Sequence, residues 1–334
     1  MLITACYIVK NEEKTLPRSI ESLQGNFDEL IVVDTGSTDK TVEVAKKYGA
    51  SVYDYVWQGD FSAARNYALA NAQGDWILFF DADEYYESGG SVRAYLEYLQ
   101  HSGTDIDAVI INLYNLDSPQ LPAMKVIRMF RNHPSIRYAG AVHEQIVRQD
   151  GHLHTLLAEQ FKFMHTGYAI EAMPIKLRRN LDLIEADIAR NGERDSYYYY
   201  LAECHFGLQH YPQALEYIAK ALESPVKYPY ELANYYHILL ESMRQCNYPA
   251  KEMEKICNIA ISLFPDMPEF YGEQGMIVSS MGRLEEALKL FSKCIACYHS
   301  PQRQNNHYGY FDDKVMEIVD TRITQIHELL EGGR

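Results

Sequence analysis

The segment WILFFDADE ends a strongly apolar run with two carboxylates two positions apart, Asp81 and Asp83. At a strand end one of such a pair can reach a divalent cation while the other makes a second contact. Hard oxygen ligands of this kind suit Mg²⁺ or Mn²⁺, which commonly bridges a diphosphate. A second Asp-x-Asp, Asp105 to Asp107, follows no comparable run and reads as a surface turn. Asp34 directly follows ELIVV and opens the turn DTGSTD, where Thr38 or Asp39 can cap the next helix. Its side chain either satisfies nearby backbone N–H groups or accepts from a base edge or a ribose. Arg65, in FSAARNYAL, shares its helix with the small residues Ser62, Ala63 and Ala64. Alone it reads as a solvated helix arginine; beside a carboxylate cluster it becomes a clamp for a base carbonyl or a phosphate.

The elements that must position these residues alternate up to about residue 170. The apolar runs LITACYIV (2–9), ELIVVD (29–34), SVYDYV (51–56) and WILFFDAD (76–83) are separated by the helical stretches EEKTLPRSIESL, DKTVEVAKKYG and FSAARNYALANAQ. Apolar strands separated by helices predict βαβ units and an open, mostly parallel sheet. Such sheets bind ligands at the carboxyl ends of their strands, which here are Lys10 and Asn11, Asp34, the 57–61 loop, and Asp81 with Asp83. Residues 117–165 carry the turn signals DSPQLP, NHPS and QDG, several short strand-like pieces and many His, Arg and Glu, and read as acceptor-side loops too polar for core.

From about residue 171 the pattern is helical throughout. Aligning 196–223 with 269–296 places Ala202 over Gly275, Tyr211 over Leu284, Ala214 over Ala287, Ile218 over Phe291 and Ala221 over Cys294. A weaker copy between them has Leu239 and Tyr248 at the first two positions but Lys251 where the small residue should fall, giving a period of 36 to 37. Helix pairs at such a period stack into a solenoid whose concave face often binds a peptide or protein. A last helix over about 312–331 would cap the array. The expected division is therefore 1–170 for the sheet domain and 171–334 for the helical one. The run Tyr197 to Tyr200 reads as repeat core, and so does the Cys294-x-x-Cys297 pair, which lies inside a helical run without a second pair.

Composition excludes several classes. With 31 basic and 46 acidic residues the formal charge is −15, so binding to nucleic acid or anionic lipid by bulk electrostatics is not expected. No apolar stretch is long enough for a membrane span, the start MLITACYIVKNEE does not read as a signal peptide, and the six cysteines are scattered through apolar segments. A cytoplasmic protein with reduced core thiols is expected.

Four segments, YIVKNEE, IVVDTGSTDKT, FSAARNYAL and WILFFDADE, occur in an order and spacing similar to inverting GT-A glycosyltransferases of family 2, which use nucleotide-diphospho-sugars. The resemblance covers roughly residues 1–170. The C-terminal half resembles tetratricopeptide repeats, as in a bacterial subgroup where such a catalytic domain precedes a helical repeat. The resemblance implies that Asp34 and Arg65 contact the nucleotide base, often uracil, with Ile8, Lys10 and Asn11 lining the same pocket. It implies further that Asp81 meets the ribose or metal, and that Asp83 ligates Mn²⁺ or Mg²⁺ holding the diphosphate.

An inverting transfer also needs a general base for the acceptor and a cation for the departing nucleoside diphosphate. In YAGAVHEQI, Glu144 is flanked by apolar residues able to raise its pKa, and becomes the first choice for base over a plain surface glutamate. His165, after FKFM, resembles the family's late histidine and reads as a third metal ligand or phosphate contact, with His143 an alternative. Arg128 and Arg131 could neutralise phosphate or simply face solvent, and stay outside the catalytic set. The expected activity is transfer of a hexose or N-acetylhexosamine, from a UDP-sugar, to an acceptor such as a peptide or protein recruited by the repeats; whether the chain forms a homodimer is left open. The alternative is a non-catalytic interaction scaffold with a nucleotide-binding domain. A nucleotidyltransferase ranks last, because no glycine-rich phosphate loop lies near the N-terminus.

Overall fold

The computed structural model describes residues 1–116, 123–166, 173–225, 232–301 and 313–332. The chain divides into two compact units, Met1–Met173 with Asp182–Arg190, and Pro174–Leu181 with Asn191–Arg334. The boundary expected at 170/171 and the turn DSPQLP lie outside the described residues. Among the described residues no helix is long and apolar enough to cross a membrane.

In the first unit, strands β1 (Ile3–Val9), β2 (Glu29–Asp34), β3 (Ser51–Asp54) and β4 (Trp76–Phe79) alternate with helices α1 (Leu16–Ser22), α2 (Thr41–Lys47) and α3 (Phe61–Asn71). They pair in parallel in the order β3-β2-β1-β4, with Val9 beside Asp34 and Cys6 beside Phe79. The chain builds outward from β1 to β3, then crosses back to lay β4 on the other side of β1. A crevice therefore opens at the carboxyl ends of β1 and β4. Both sheet faces are covered: Ala5, Tyr7 and Val9 belong to one core cluster, Cys6, Ile31, Val33 and Phe79 to the other. This explains why the strands read as continuous apolar runs instead of alternating ones. β4 stops at Phe79, short of the expected 83, because residues 81–84 turn away from the sheet with Glu84 N–H donating to Asp81 O at 3.0 Å. β3 likewise ends at Asp54, short of 56.

The same sheet continues through β5 (Glu84–Ser88), β6 (Ala108–Asn115), β7 (Met124–Arg131) and β10 (Thr155–His165), while helix α4 (Val92–His101) lies between β5 and β6 in the chain. The full order is β3-β2-β1-β4-β7-β6-β10-β5. β7 runs antiparallel to β4 and β6, and β10 antiparallel to β5 but parallel to β6. The sheet is thus parallel in its first half and mixed in its second. Residues 117–165, expected as polar loops, supply two of its inner strands, with Met129, Phe130, Phe161 and Phe163 fully buried. Two of the arginines that suggested loops are bonded within the fold. Arg131 donates to Ile106 O at 2.8 Å and Gln100 Oε1 at 2.6 Å, and Arg128 is bound by acids described below. β8 (Ile136–Ala139) and β9 (Gln145–Arg148) form a separate hairpin. Asp107 also departs from expectation: it is 3% exposed and ion-paired with Arg148 at 2.6 Å, so only Asp105 lies at the surface.

The second unit comprises α6 (Tyr198–Gly207), α7 (Tyr211–Glu223), α8 (Leu232–Gln245), α9 (Ala250–Leu263), α10 (Pro268–Ser280), α11 (Leu284–Tyr298) and α12 (Asp313–Gly332), each packed on the next. Helix α5 (Met173–Asn191) contributes residues to both units. The small and aromatic positions aligned from sequence are core: Ala202, Ala214, Ile218, Ala287, Phe291 and Cys294 are all fully buried. The middle copy is shifted. Its equivalent triplet is Met253, Cys257 and Ala260, while Lys251 and Tyr248 are exposed. Met253 lies 39 residues after Ala214 and 34 before Ala287, so a long first spacing precedes one of tetratricopeptide length. Tyr199 stacks on Tyr235 with centroids 4.5 Å apart, which confirms core use of that tyrosine run.

Gly275 shows how tight the helix contact is, since a Cβ there would lie 2.5 Å from the Phe291 ring. Gly275→Ala is expected to destabilise the helical unit by about 1–3 kcal/mol, against its gain in helix propensity. Urea unfolding followed by circular dichroism checks this, and an unchanged or raised midpoint would contradict the packing.

Candidate active site

Helix α3 sets the centre of the site. Asp60 caps its N-terminus by accepting from Ala63 N–H at 2.9 Å. Ala64 and Ala68, both fully buried, let the helix approach the sheet, which carries Arg65 inward until it is 5% exposed. There its guanidinium sits over the rings of Phe79 and Tyr138, at 4.8 and 5.2 Å. Nη2 donates to Asp81 Oδ1 at 2.8 Å and Nε to Glu144 Oε1 at 2.5 Å, while Nη1 is buried without an acceptor. Arg65 is therefore neither solvated nor free.

On the far side of Asp81 stands Arg128, which sequence reasoning left out. Its Nη2 donates to Asp81 Oδ2 at 3.1 Å and to Glu84 Oε1 at 2.5 Å, and its Nε to Glu84 Oε2 at 2.7 Å. Two guanidiniums thus flank one carboxylate. Burial alone would favour the neutral acid at Asp81, but Arg65 and Arg128 overcome it and hold the carboxyl well below its ordinary range. Glu84, 1% exposed, goes the other way: burial and the nearby Asp81 charge outweigh Arg128 and raise it. Desolvation opposes the charge on Arg65, yet Asp81 and Glu144 together raise its pKa. The signal for Arg128 and Glu84 was present in an arginine on an apolar strand and a glutamate directly following Asp-x-Asp.

Glu144 lies just before β9, its side chain 13% exposed. The apolar flanks read from sequence are not its nearest surroundings, since the group that meets its carboxylate is the Arg65 cation. His143, immediately before it, has a left-handed backbone at φ 54.

Asp83 and His165 form a second group. His165 Nε2 is 3.2 Å from Asp83 Oδ2, and His165 Nδ1 is 3.1 Å from Asn115 Oδ1. With Nδ1–H donating to that amide oxygen, Nε2 is the nitrogen left to act as a ligand. The backbone is tied as well, since Thr166 N–H donates to Asp83 O at 3.1 Å. Among the described residues no cluster of three His, Cys, Asp or Glu side chains able to hold a metal occurs. One carboxylate oxygen and one imidazole nitrogen are donor types that suit a divalent cation such as Mn²⁺ or Mg²⁺, and Asp83 and His165 are the residues that would hold it. Asn115 is 8% exposed. Asn115→Leu is expected to raise the Mn²⁺ concentration needed for half-maximal effect by about 10–100-fold. A metal titration checks this, and an unchanged midpoint would show that the amide does not orient the imidazole.

At the carboxyl end of β2, Asp34 satisfies nearby backbone N–H groups with one oxygen only. Oδ2 accepts from Gly36 N–H at 3.1 Å and Ser37 N–H at 3.0 Å, whereas Oδ1 is buried without a partner. Asn11, at φ 60, ties the β1 loop to the β2 loop: its Oδ1 accepts from Thr38 N–H at 2.7 Å and its N–H donates to Ser37 Oγ at 2.9 Å. Ile8 is half-buried and Lys10 exposed. Neither capping candidate is the N-cap of α2, which is Lys40; Asp39 lies one residue before it and accepts from Thr41 N–H at 2.9 Å.

Comparison with known proteins adds independent findings. Residues 4–159 match the model of the glycosyl transferase family 2 domain. A TPR repeat-containing protein of Synechococcus elongatus is 39% identical over 146 residues, which are 43% of this chain and 35% of that protein. The SPbeta prophage-derived glycosyltransferase SunS of Bacillus subtilis is 30% identical over 234 residues, 68% of this chain and 54% of SunS. The chain thus spans about a third to about half the length of these relatives. The structure of S. aureus TarS 1-349 in complex with UDP-GlcNAc is 15% identical and covers 93% of this chain and 94% of that one, at a TM-score of 0.42. The N-terminal unit, with its Arg65-centred cluster, carries a glycosyl transferase family 2 domain.

Proposed function

We propose that the chain is an inverting glycosyltransferase that moves a hexose or N-acetylhexosamine from a UDP-sugar to a peptide or protein acceptor. The observation that carries this reading is the meeting of Arg65, Asp81 and Glu144, from separate segments, beside Asp83 and His165 within a family 2 domain. Asp34 Oδ1, buried and unpartnered, suits the N–H edge of uracil. Asp81 is fixed by Arg65 and Arg128 in its ionised form, ready to accept from a ribose hydroxyl.

Asp83 and His165 would hold Mn²⁺ or Mg²⁺, which supplies charge neutralisation to the departing diphosphate. Glu144 takes the acceptor's proton as the nucleophile attacks the anomeric carbon. The bond from that carbon to the diphosphate oxygen breaks on the opposite face, so configuration inverts. Since Glu144 commits Oε1 to Arg65, Oε2 is assigned the proton. The helical unit would recruit the acceptor, in keeping with the repeats named in the Synechococcus relative.

Incubating the protein with UDP-, GDP- and dTDP-sugars, with Mn²⁺ or with EDTA, tests this reading. Metal-dependent release of UDP from one donor is the expected result. Absence of both release and UDP binding would favour a non-catalytic scaffold.

A further inference from the structure

The β8–β9 hairpin that delivers Glu144 is not part of the eight-stranded sheet. An isolated two-stranded hairpin is marginally stable, so other groups must hold it. At its base it is well anchored: Ile136, Tyr138 and Ile146 join the cluster of Phe79 and Phe130, and Arg148 pairs with Asp107 at 2.6 Å. Its connecting loop is different. Gly140 has φ 101 and His143 φ 54, and a non-glycine residue in that region costs about 1 kcal/mol or more, so the loop keeps this shape only if its surroundings impose it.

Those surroundings include one face of α3. Ser62, Arg65 and Asn66 are spaced i, i+3, i+4 and project together. Ser62 Oγ donates to Gly140 O at 2.5 Å. Asn66 brackets the backbone of Tyr138, its Nδ2 donating to Tyr138 O and its Oδ1 accepting from Tyr138 N–H, both at 2.9 Å. Phe61 N–H donates to Ala141 O at 2.9 Å, and Arg65 holds Glu144 itself. Asn66 thus takes the place of a neighbouring strand at the point where the hairpin leaves the core.

We infer that Ser62 and Asn66 are positioning residues that latch the β8–β9 hairpin to α3 and so fix the direction of the Glu144 carboxylate. The catalytic half of this inference rests on Glu144 being the base. The latch does not. A carboxylate displaced by about 1 Å can lose on the order of a hundredfold in rate, so two neutral side chains bonded to the hairpin backbone would strongly affect turnover.

The test uses the full chain. Hydrogen exchange compares wild type with Asn66→Ala. The latch predicts faster exchange across 138–147 with protection of β1 and β4 unchanged; equal exchange in the hairpin would overturn it, with no substrate required. UDP release from UDP-sugars with Mn²⁺ then compares Asn66→Ala, Glu144→Gln and the double variant. Action through Glu144 predicts a fall in kcat of about tenfold or more for Asn66→Ala at unchanged UDP affinity, and no further fall when it is added to Glu144→Gln. The same fold-loss in both backgrounds would reduce Asn66 to general support and overturn the positioning role. Full turnover by Glu144→Gln alone would instead remove the base assignment, leaving the exchange result to decide the latch.

Discussion

Asp83→Asn is expected to lower metal-dependent turnover about a thousandfold, the size that follows from losing a metal contribution of several kcal/mol. The carboxylate is 30% exposed and its partner is His165 Nε2 at 3.2 Å, so the amide should fit without disturbing the core. It would offer a neutral oxygen in place of a charged one to a cation that prefers hard anionic ligands. Unchanged circular dichroism together with lost Mn²⁺ response is the expected pair of results. Full activity with Mn²⁺ would remove Asp83 from the site.

Glu144→Gln is expected to reduce transfer roughly a hundredfold or more, the ordinary worth of a positioned base. Glutamine keeps an oxygen for Arg65 Nε, so Arg65 retains an acceptor there and its bond to Asp81. What is lost is the ability to take a proton. UDP affinity, measured by calorimetry, should therefore survive while kcat falls. Unchanged transfer would place the base elsewhere.

How much of this was legible from sequence depends on how local each signal is. β1, β2 and β4 could be read because strands covered on both faces are continuous apolar runs, and their ends then pointed to Asn11, Asp34 and Asp81. β7 and β10 were harder to place, because Arg128 interrupts the apolar run of KVIRMFR and Glu159, Gln160 and Lys162 interrupt that of TLLAEQFKFMH, while the acids that meet Arg128, Glu84 and Asp81, lie more than forty residues away. Arg65 was legible as an arginine that belongs near carboxylates, but not as one already bound to two of them. Glu144 shows the same limit: its sequence neighbours Val142 and Ile146 are apolar, while its spatial neighbour is a cation. In the helical unit the outer repeats aligned because Ala214 and Ala287 are both small and fully buried. Met253 fills the corresponding place in the middle copy, and a larger side chain there concealed the shift from Lys251.

The most direct measurement is diffraction from crystals grown with UDP and Mn²⁺, recorded to show the anomalous signal of the metal. The account predicts one Mn²⁺ held by Asp83 Oδ2 and His165 Nε2 and by the diphosphate, with the uracil edge on Asp34 Oδ1. A manganese bound without Asp83 and His165, or a uracil away from Asp34, would contradict it.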